Sequence, residues 1–250
     1  MPSHEAEAIV LRHYPLSEAD RIVVFVTREF GKVRAVGQGV KRPRSRLVGS
    51  LEPMNHVRVD FYAKEGSDLW RIRQCETLHS YLGRNPSLER LYGYQYLAEL
   101  TQELVEENHS NPPVFRLLLA VLNAGEALGM GEALARYFEI WILRLSGLLP
   151  DYGYCSDCKK CVKDSGFYAW IEAGQGRCAA CARGRGVIIR AAAGQALRRI
   201  LQLSPEQFSA KALPPTAACD LERLTQRLLE LHLEKHLKSY AALRSHFQRT

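Results

Sequence analysis

Two pairs of cysteines with the same internal spacing constrain this chain more than any other feature of its sequence. Cys155 and Cys158 enclose two residues, Cys178 and Cys181 do the same, and 19 residues separate the pairs. Two Cys-x2-Cys pairs at about this separation are a specific signature of tetrahedral zinc, because each tight turn directs two sulfurs to one point. We therefore predict one structural zinc ion, held by four thiolates within residues 151–186.

A further cysteine leaves undecided which two residues form the first pair of ligands. Cys158 and Cys161 also enclose two residues, so the spacing alone allows either Cys155 or Cys161 as a ligand. In both cases four thiolate ligands leave no open coordination position, which predicts a structural and not a catalytic metal. Cys75, in a strand pattern, and Cys219, near a helix start, are predicted to be packing residues.

The remaining composition is typical of a globular chain in a reducing compartment. Of the 250 residues, 46% are hydrophobic and 24% are charged, as in ordinary soluble proteins. The first ten residues lack the basic start and apolar run of a signal peptide, so the clustered cysteines indicate metal binding before disulfides. The most apolar runs, 116–122 and 137–149, are too short or carry charge, so we expect no membrane span and a cytoplasmic location.

The positive charge is concentrated towards the two ends of the chain. The net charge is +7, but residues 1–84 carry +4, residues 85–150 carry −4 and residues 151–250 carry +7. A chain that is basic throughout would not have an acidic middle, so the cations belong to particular surfaces.

Residues 6–78 have the pattern of β-strands. Five short runs rich in β-branched and aromatic residues follow one another, and in several of them apolar positions alternate, as at Val57, Val59 and Phe61. Such a series favours a small barrel of the oligonucleotide-binding (OB) type, with another five-stranded barrel or a half-sandwich as the alternative. We predict an OB-fold domain at residues 1–82.

A dense cluster of cations follows the third predicted strand. It consists of Lys41, Arg42, Arg44 and Arg46. So much positive charge repels itself unless an anion neutralises it, and OB barrels bind single-stranded nucleic acid on a face and its bordering loops. We therefore predict that this loop binds DNA phosphates together with Lys32 and Arg34 of the third strand, the alternative being a solvated hairpin tip.

Four aromatic residues of the same segment are candidates for stacking on bases. They are Tyr14, Phe61, Tyr62 and Trp70. For each of them the alternative is packing within the barrel, which is the commoner role of such a residue. The strand pattern does not separate the two roles.

From about residue 87 the apolar spacing becomes that of helices. We predict a helical domain whose first part is residues 83–150 and whose C-terminal part is residues 187–250, with the cysteine-rich segment inserted between them. The second part includes a long helical stretch over residues 220–247. The predicted fold is therefore α+β and multidomain. Arg136 and Arg144 adjoin an aromatic cluster and border either an apolar groove for a partner peptide or plain core.

The chain contains none of the common catalytic motifs. It lacks the phosphate-binding loop of nucleotide hydrolases, the dinucleotide-binding fingerprint, the nucleophile elbow of serine hydrolases and the His-Glu-x-x-His zinc motif. His232 and His236 share a helix face, which is more often a helix surface than a metal site. We predict that the protein is not an enzyme.

Taken in order, several stretches resemble one family. They are AIVLRHYPLSEADRIVVFVTREFGKVRAVGQGVKRPRSRLVGSLEP, the apolar helix leading into LLPDYGYCSDC, the CAAC pair and LEKHLKSYAAL. The chain is similar in these stretches, and over nearly its whole length, to the RecO family of recombination mediators.

The resemblance implies an OB-fold domain, a helical domain and an inserted zinc knuckle. It implies binding to single- and double-stranded DNA, annealing of complementary strands and partnership with RecR, so that RecA replaces single-strand-binding protein on DNA during repair and recombination. It implies that the basic loop binds DNA, that Cys155 belongs to the zinc ligands, and that the helical domain binds the acidic tail of single-strand-binding protein. A nucleoid-associated location follows from the same role.

Two other functions are consistent with the residues alone. One is a single-stranded RNA-binding OB protein with a zinc ribbon, which would prefer RNA in a titration because the 2′-hydroxyl is the distinguishing contact. The other is a scaffold that binds only proteins, which would show no affinity for DNA. A zinc enzyme would need an open coordination position.

Overall fold

The computed structural model describes residues 3–42, 45, 47–62, 69–83, 85–162 and 165–248. The chain divides into two compact units, the first made of residues 1–126 with 239–250 and the second of residues 127–238. This division differs from the predicted grouping of residues 83–150 in one helical domain, because the helices before residue 126 belong to the same unit as the strands.

Five strands of the first unit form a closed barrel. They are β1 (Ser3–Pro15), β2 (Arg21–Thr27), β3 (Gly31–Gly37), β4 (Asn55–Tyr62) and β5 (Trp70–Ser80). The strand order is β1-β2-β3-β5-β4, and β1 closes the barrel by pairing with β4. Every pair is antiparallel except β3 with β5, which is parallel.

Alternate apolar residues of these strands fill the barrel, as their spacing predicts. Val23 and Phe25 of β2 and Val57, Val59 and Phe61 of β4 are fully buried in one cluster. The rings of Phe25 and Phe61 meet edge to face, with centroids 5.4 Å apart, a favoured geometry for aromatic pairs. The interior is therefore packed with side chains, which leaves the outer surface and the loops for binding.

The helical segments follow the barrel. They are α1 (Leu88–Leu104), α2 (Pro112–Leu128), α3 (Glu132–Leu145), α4 (Ala179–Ala182), α5 (Ala191–Ile200), α6 (Pro205–Ser209), α7 (Pro215–Leu233) and α8 (Lys238–Phe247). Helix α1 packs against β1 and β2, and the Ser87 side chain caps its first turn by accepting from the N–H of Arg90. Among the described residues no helix is both long and apolar enough to cross a membrane.

The long helical stretch predicted over residues 220–247 is divided in two. Helix α7 ends at Glu234, whose φ of 53° is left-handed, and a left-handed residue cannot continue a right-handed helix. Helix α8 then returns to the first unit, where the Glu99 carboxylate of α1 accepts hydrogen bonds from the N–H and the hydroxyl of Ser239. The left-handed Glu234 thus divides the predicted stretch, and the contact of Ser239 with Glu99 holds the second part beside α1.

A small sheet and the remaining helices form the second unit. Strands β6 (Phe167–Trp170), β7 (Gln175–Arg177) and β8 (Val187–Ile189) pair in the order β7-β6-β8. Helices α3 and α5 both pack on α7. The buried Glu139 carboxylate on α3 accepts from the hydroxyl of Thr225 on α7 at 2.5 Å and pairs with Arg136 at 3.0 Å.

Candidate nucleic-acid interface and metal centre

The two Cys-x2-Cys pairs converge on one point. The sulfur atoms of Cys155, Cys158, Cys178 and Cys181 all lie within 4.8 Å of one another, and those of Cys158 and Cys178 are 3.7 Å apart. Tetrahedral zinc with Zn–S bonds of about 2.3 Å requires sulfurs about 3.8 Å apart. The four residues therefore fit a divalent metal that prefers thiolates.

Two tight turns direct these sulfurs inward. In the first, the N–H of Cys155 donates to the carbonyl of Lys160 at 2.8 Å and the N–H of Lys159 donates to the carbonyl of Cys155 at 3.0 Å. In the second, Cys178 caps the short helix α4, and Arg183 ends that helix with a φ of 49°. The N–H of Ser156 donates to the carbonyl of Gly176 at 2.8 Å and joins the two turns.

The cluster already favours one thiolate. Burial opposes ionisation of Cys155, but backbone N–H groups of Cys158, Cys178 and Asp157 donate to its sulfur and lower its pKa to about 6. Hydrogen bonds with the thiols of Cys178 and Cys158 raise the pKa of Cys181 to about 12. Binding of a cation to all four sulfurs therefore has to release protons.

The structure separates Cys161 from this cluster. Cys161 is exposed, its backbone bridges to that of Tyr154, and it is not part of the four-sulfur group among the described residues. Cys155, in contrast, is fully buried at the centre of the first turn. The geometry thus favours Cys155 over Cys161, the choice that the spacing leaves open.

The basic loop lies against the turn between β1 and β2. The N–H of Gly39 donates to the Asp20 carboxylate at 2.8 Å, and the Nζ of Lys41 donates to the carbonyl of Ser17 at 2.9 Å. Lys41 and Arg42 are exposed. Arg44 and Arg46 lie outside the described residues. The described part of the loop is therefore anchored by hydrogen bonds and presents its cations to solvent.

The two cations predicted on β3 have different surroundings. The Nζ of Lys32 donates to the carbonyl of Gln102 at 2.7 Å, in the last turn of α1, where the carbonyl ends of a helix favour positive charge. Arg34, two residues further along the same outer face, is half-buried and lies beside Val24 of β2. Lys32 thus holds α1 to the barrel, whereas Arg34 faces the barrel exterior.

On another part of the barrel the cations are neutralised. Arg58 of β4 lies between two carboxylates, those of Glu5 at 3.4 Å and Glu76 at 3.7 Å. Arg73 of β5 pairs with Asp60 at 2.7 Å. This surface of β1, β4 and β5 therefore offers little net positive charge to a polyanion.

A pocket of about 470 Å³ lies in the second unit. Arg144, Arg198 and Asp151 line it together with apolar residues, among them Leu149, Pro150, Phe167, Leu197 and Leu201. The hydroxyl of Tyr152, another lining residue, is buried and has no hydrogen-bond partner among the described residues, and burial raises its pKa so that it remains a neutral donor. The pocket thus combines apolar walls with the guanidinium groups of Arg144 and Arg198 and the carboxylate of Asp151.

Of the two alternatives for Arg136, a groove or plain core, the structure shows the core. Its side chain is 1% exposed and is held by Glu139 within the helical core, so a partner peptide cannot reach it. Arg144, the other candidate, lines the pocket, and its guanidinium lies 5.6 Å from the ring of Trp141.

Both halves of the chain match models of one protein family. Residues 1–81 match the family model described as Recombination protein O N terminal, and residues 85–241 match the one described as Recombination protein O C terminal. The chain is 33% identical over 242 residues to DNA repair protein RecO of Koribacter versatilis (strain Ellin345), covering 96% of this chain and 97% of that protein. The chain belongs to the RecO family.

Other RecO proteins match at a similar level. DNA repair protein RecO of Pelotomaculum thermopropionicum is 32% identical over 245 residues, covering 97% of this chain and 94% of that protein. DNA repair protein RecO of Anaeromyxobacter sp. (strain K) is 32% identical over 234 residues, covering 92% and 91%. The resemblance to the RecO family that the motifs indicate is thus confirmed over both the barrel and the cysteine cluster.

Two exposed or half-exposed cations of this RecO-family barrel were missed by sequence reasoning. Arg12 of β1 and Arg71 of β5 lie on strands that the sequence separates widely. The pairing of β1 with β2, and of β3 with β5, brings both to the surface that carries Arg34. The parallel pairing of β3 with β5 leaves no short-range signal in the sequence.

Proposed function

We propose that the protein is a recombination mediator in DNA repair. It binds single- and double-stranded DNA, anneals complementary strands and, with RecR, helps to load RecA on DNA coated by single-strand-binding protein. The role requires no catalysis and is exercised in the cytoplasm, at the nucleoid. Membership of a family whose relatives are named DNA repair proteins supports the recombination and repair role.

The anchored basic loop carries this proposal. Lys41 and Arg42 are exposed at a loop that Asp20 and Ser17 hold in place, whereas Arg58 and Arg73 of the barrel are paired with carboxylates. Annealing requires cations that screen phosphate repulsion while bases search for their partners. Contacts with phosphates carry no sequence information, which suits a protein acting at arbitrary gaps.

The barrel supports an OB assignment. Its strand order, β1-β2-β3-β5-β4 with closure between β1 and β4, is that of a five-stranded barrel of Greek-key type. The loop after β3 and the turn between β1 and β2 meet at one end, beside the strands on which OB barrels bind oligonucleotides.

A structural zinc ion completes the proposal. Cys155, Cys158, Cys178 and Cys181 would hold it, and four thiolates leave no position for water or substrate. When bound, the ion supplies folding free energy rather than chemistry. The residues themselves position the two turns, because Ser156 already joins them through the carbonyl of Gly176.

The pocket of the second unit supports the proposed partnership with single-strand-binding protein. An acidic, apolar-ended tail matches apolar walls flanked by Arg144 and Arg198, whose guanidinium groups can donate charge-assisted hydrogen bonds to a carboxylate. We assign RecR and, indirectly, RecA as the other partners on the strength of the family alone.

Strand annealing in the absence of ATP tests the proposed function. The protein is expected to accelerate pairing of complementary oligonucleotides that are coated with single-strand-binding protein, as followed by fluorescence energy transfer between labelled strands. A rate equal to that of the coated strands alone would refute the role. Substitution of RNA strands distinguishes the RNA-binding alternative, which predicts faster pairing of RNA than of DNA.

A further inference from the structure

A carboxylate lies directly beside the basic loop. Asp20 ends the turn between β1 and β2 and is half-buried, and the one hydrogen bond of its side chain among the described residues comes from the backbone N–H of Gly39 at 2.8 Å. Lys41 and Arg42 follow Gly39 by two and three residues. Because a negative charge at this place repels the phosphates that the loop is proposed to bind, the hydrogen bond and not the charge has to explain the carboxylate.

The turn that carries Asp20 is closed by its own hydrogen bonds. The N–H groups of Leu16 and Ser17 both donate to the carbonyl of Asp20, at 3.1 and 3.4 Å, and the N–H of Asp20 donates to the hydroxyl of Ser17 at 3.0 Å. Serine hydroxyls stabilise short turns in this way. The turn therefore fixes the backbone of Asp20 without help from the loop.

Three hydrogen bonds join the loop to this turn. Besides the bond from Gly39 to Asp20, the N–H of Lys41 donates to the carbonyl of Ala19 at 3.0 Å, and the Nζ of Lys41 donates to the carbonyl of Ser17 at 2.9 Å. The carbonyl of Ser17 is neutral, so the ammonium keeps its charge, and two of its three N–H bonds remain for a phosphate. The turn thus holds Lys41 in place without neutralising it.

The bond to Asp20 is made at the point where the loop bends. Gly39 has a φ of 63°, which residues with a side chain rarely adopt, and the N–H of Arg42 donates back to the carbonyl of Gly39 at 3.0 Å. A Cβ at Gly39 would lie 3.3 Å from the Cδ of Arg42. Glycine has the greatest conformational freedom of all residues, so a bond to its N–H orders the part of the loop that is otherwise the most flexible.

We propose that Asp20 is a positioning residue for DNA binding, which orders the basic loop through Gly39 before a phosphate arrives. The proposal rests on the proposed DNA-binding function and deepens it, because it assigns part of the affinity to a residue whose charge repels the ligand. The apparent affinity scales with the fraction of molecules whose loop is already in the binding conformation. The hydrogen bond of Asp20 raises that fraction, and this gain exceeds the repulsion between its carboxylate and the phosphates.

Substitutions of two neighbouring carboxylates in the full-length protein separate the hydrogen bond from the charge. Asp20→Ala removes both and is expected to weaken binding of a single-stranded oligothymidylate by about 3- to 10-fold. Asp20→Asn keeps an acceptor for Gly39 and removes the charge, so it should bind at least as tightly as the wild type. Glu18→Ala is the matched control, because Glu18 is exposed in the same turn and has no hydrogen bond or ion pair among the described residues. Its loss should strengthen binding, since one negative charge is removed.

Two further measurements distinguish positioning from a direct contact and from loss of folding. The slope of log affinity against log salt should be the same for Asp20→Ala as for the wild type, since the same cations contact phosphates. Amide hydrogen exchange without DNA should show Gly39 less protected in Asp20→Ala and as protected as in the wild type in Asp20→Asn. If Asp20→Ala unfolds by circular dichroism, Asp20→Ser, whose side chain is too short to reach Gly39, carries the same prediction.

The sign of the change in affinity decides between the hydrogen bond and the charge of Asp20. Binding by Asp20→Ala as tight as that of the wild type, or tighter, would overturn the proposal and leave the DNA-binding function standing. Equal weakening by Asp20→Ala and Asp20→Asn would also overturn it, because the acceptor for Gly39 would then have no effect. Failure of the wild type to bind the oligonucleotide would refute the proposed function itself.

Discussion

Asp220 of α7, which is fully buried, accepts hydrogen bonds from both the backbone N–H of Arg190 at 2.9 Å and its guanidinium at 2.6 Å. Arg190 is the residue between β8 and α5. One carboxylate thus fixes the end of the small sheet and the start of a helix to α7, and a negative charge at a helix N-terminus is itself favourable.

Removal of this carboxylate should destabilise the second unit. Asp220→Ala leaves the N–H of Arg190 without its partner and is expected to lower the free energy of unfolding by about 2–3 kcal/mol. Arg190→Ala is the matched control and should cost less, because Asp220 keeps its bond from the backbone N–H of Arg190 and the guanidinium of Arg223 at 3.7 Å. Chemical denaturation of the two variants measures both free energies of unfolding. Equal losses would contradict the role assigned to the Asp220 carboxylate.

The basic loop should determine how strongly salt weakens DNA binding. If Lys41, Arg42, Arg44 and Arg46 all contact phosphates, replacing the four with Ala should flatten the slope of log affinity against log salt by up to about 3 on a single strand. Titrations of one oligonucleotide between about 50 and 200 mM salt give the slope. Annealing should slow in parallel, while the melting temperature and metal content remain.

A second quadruple variant controls for net charge. Arg28, Arg58, Arg73 and Arg227 are at least half exposed and all paired with carboxylates. Their replacement by Ala changes the net charge by the same amount and should alter the slope by well under one. If both quadruple variants flatten it equally, the loop acts only through total charge.

The cysteine cluster should bind one zinc ion per chain. Cys178→Ser and Cys155→Ser are each expected to lose the metal and lower the melting temperature, because a structural zinc supplies folding free energy. Cys161→Ser should keep both, since its thiol lies outside the cluster. Elemental analysis of the purified variants tests this; a metal retained by the Cys155 variant and lost by the Cys161 variant would reverse the ligand assignment.

Substitutions in the pocket of the second unit should weaken binding of the peptide tail without weakening binding of DNA. Arg144→Ala together with Arg198→Ala is expected to weaken binding of a peptide with the acidic tail sequence by about tenfold or more, because charge-assisted bonds to a carboxylate are lost. Affinity for naked DNA should stay the same. Fluorescence anisotropy with labelled peptide and labelled DNA measures both, and a parallel loss of the two affinities would refute the assignment.

Cys75 should make the barrel sensitive to alkali. Burial raises the pKa of its thiol from 9.0 to about 12, so above pH 9 the unfolded chain releases this proton while the folded chain keeps it. The unfolded state then binds fewer protons, and stability falls as the pH rises from about 9 to about 12. Cys75→Ala should reduce that fall, by at most about 1.4 kcal/mol per pH unit. Melting curves of the wild type and of Cys75→Ala at several alkaline pH values test this prediction. The same decrease of stability with pH in both proteins would contradict it.

The local part of this structure was predictable from the sequence. Strand alternation placed Val57, Val59 and Phe61 in the barrel core, where they are buried, and equal spacing of two cysteine pairs predicted the four-sulfur cluster. Both signals depend on residues close together in the chain, and hydrophobic burial and ligand geometry act on them directly.

The remaining features depend on long-range pairing. Arg71 lies beside Val36 only because β5 pairs in parallel with β3, and neither sequence indicates which strand it pairs with. The sequence leaves the place of Arg136 open, and contacts with Glu139 and Thr225 bury it in the helical core. The interruption after Leu233 occurs at the left-handed Glu234 and is followed by the contact of Ser239 with Glu99, neither of which helix propensity encodes.

The return of α8 to the first unit has a consequence for biosynthesis. Tyr96 of α1 packs against Tyr240 with ring centroids 5.5 Å apart, so the first unit is completed by residues that are translated only after the whole of the second unit. All of Ala127–Lys238 must be translated before that contact forms, which takes roughly 10 s at typical elongation rates. During this interval the nascent first unit exposes the face of α1 that α8 later covers. This is therefore the stage at which we expect chaperones to bind it.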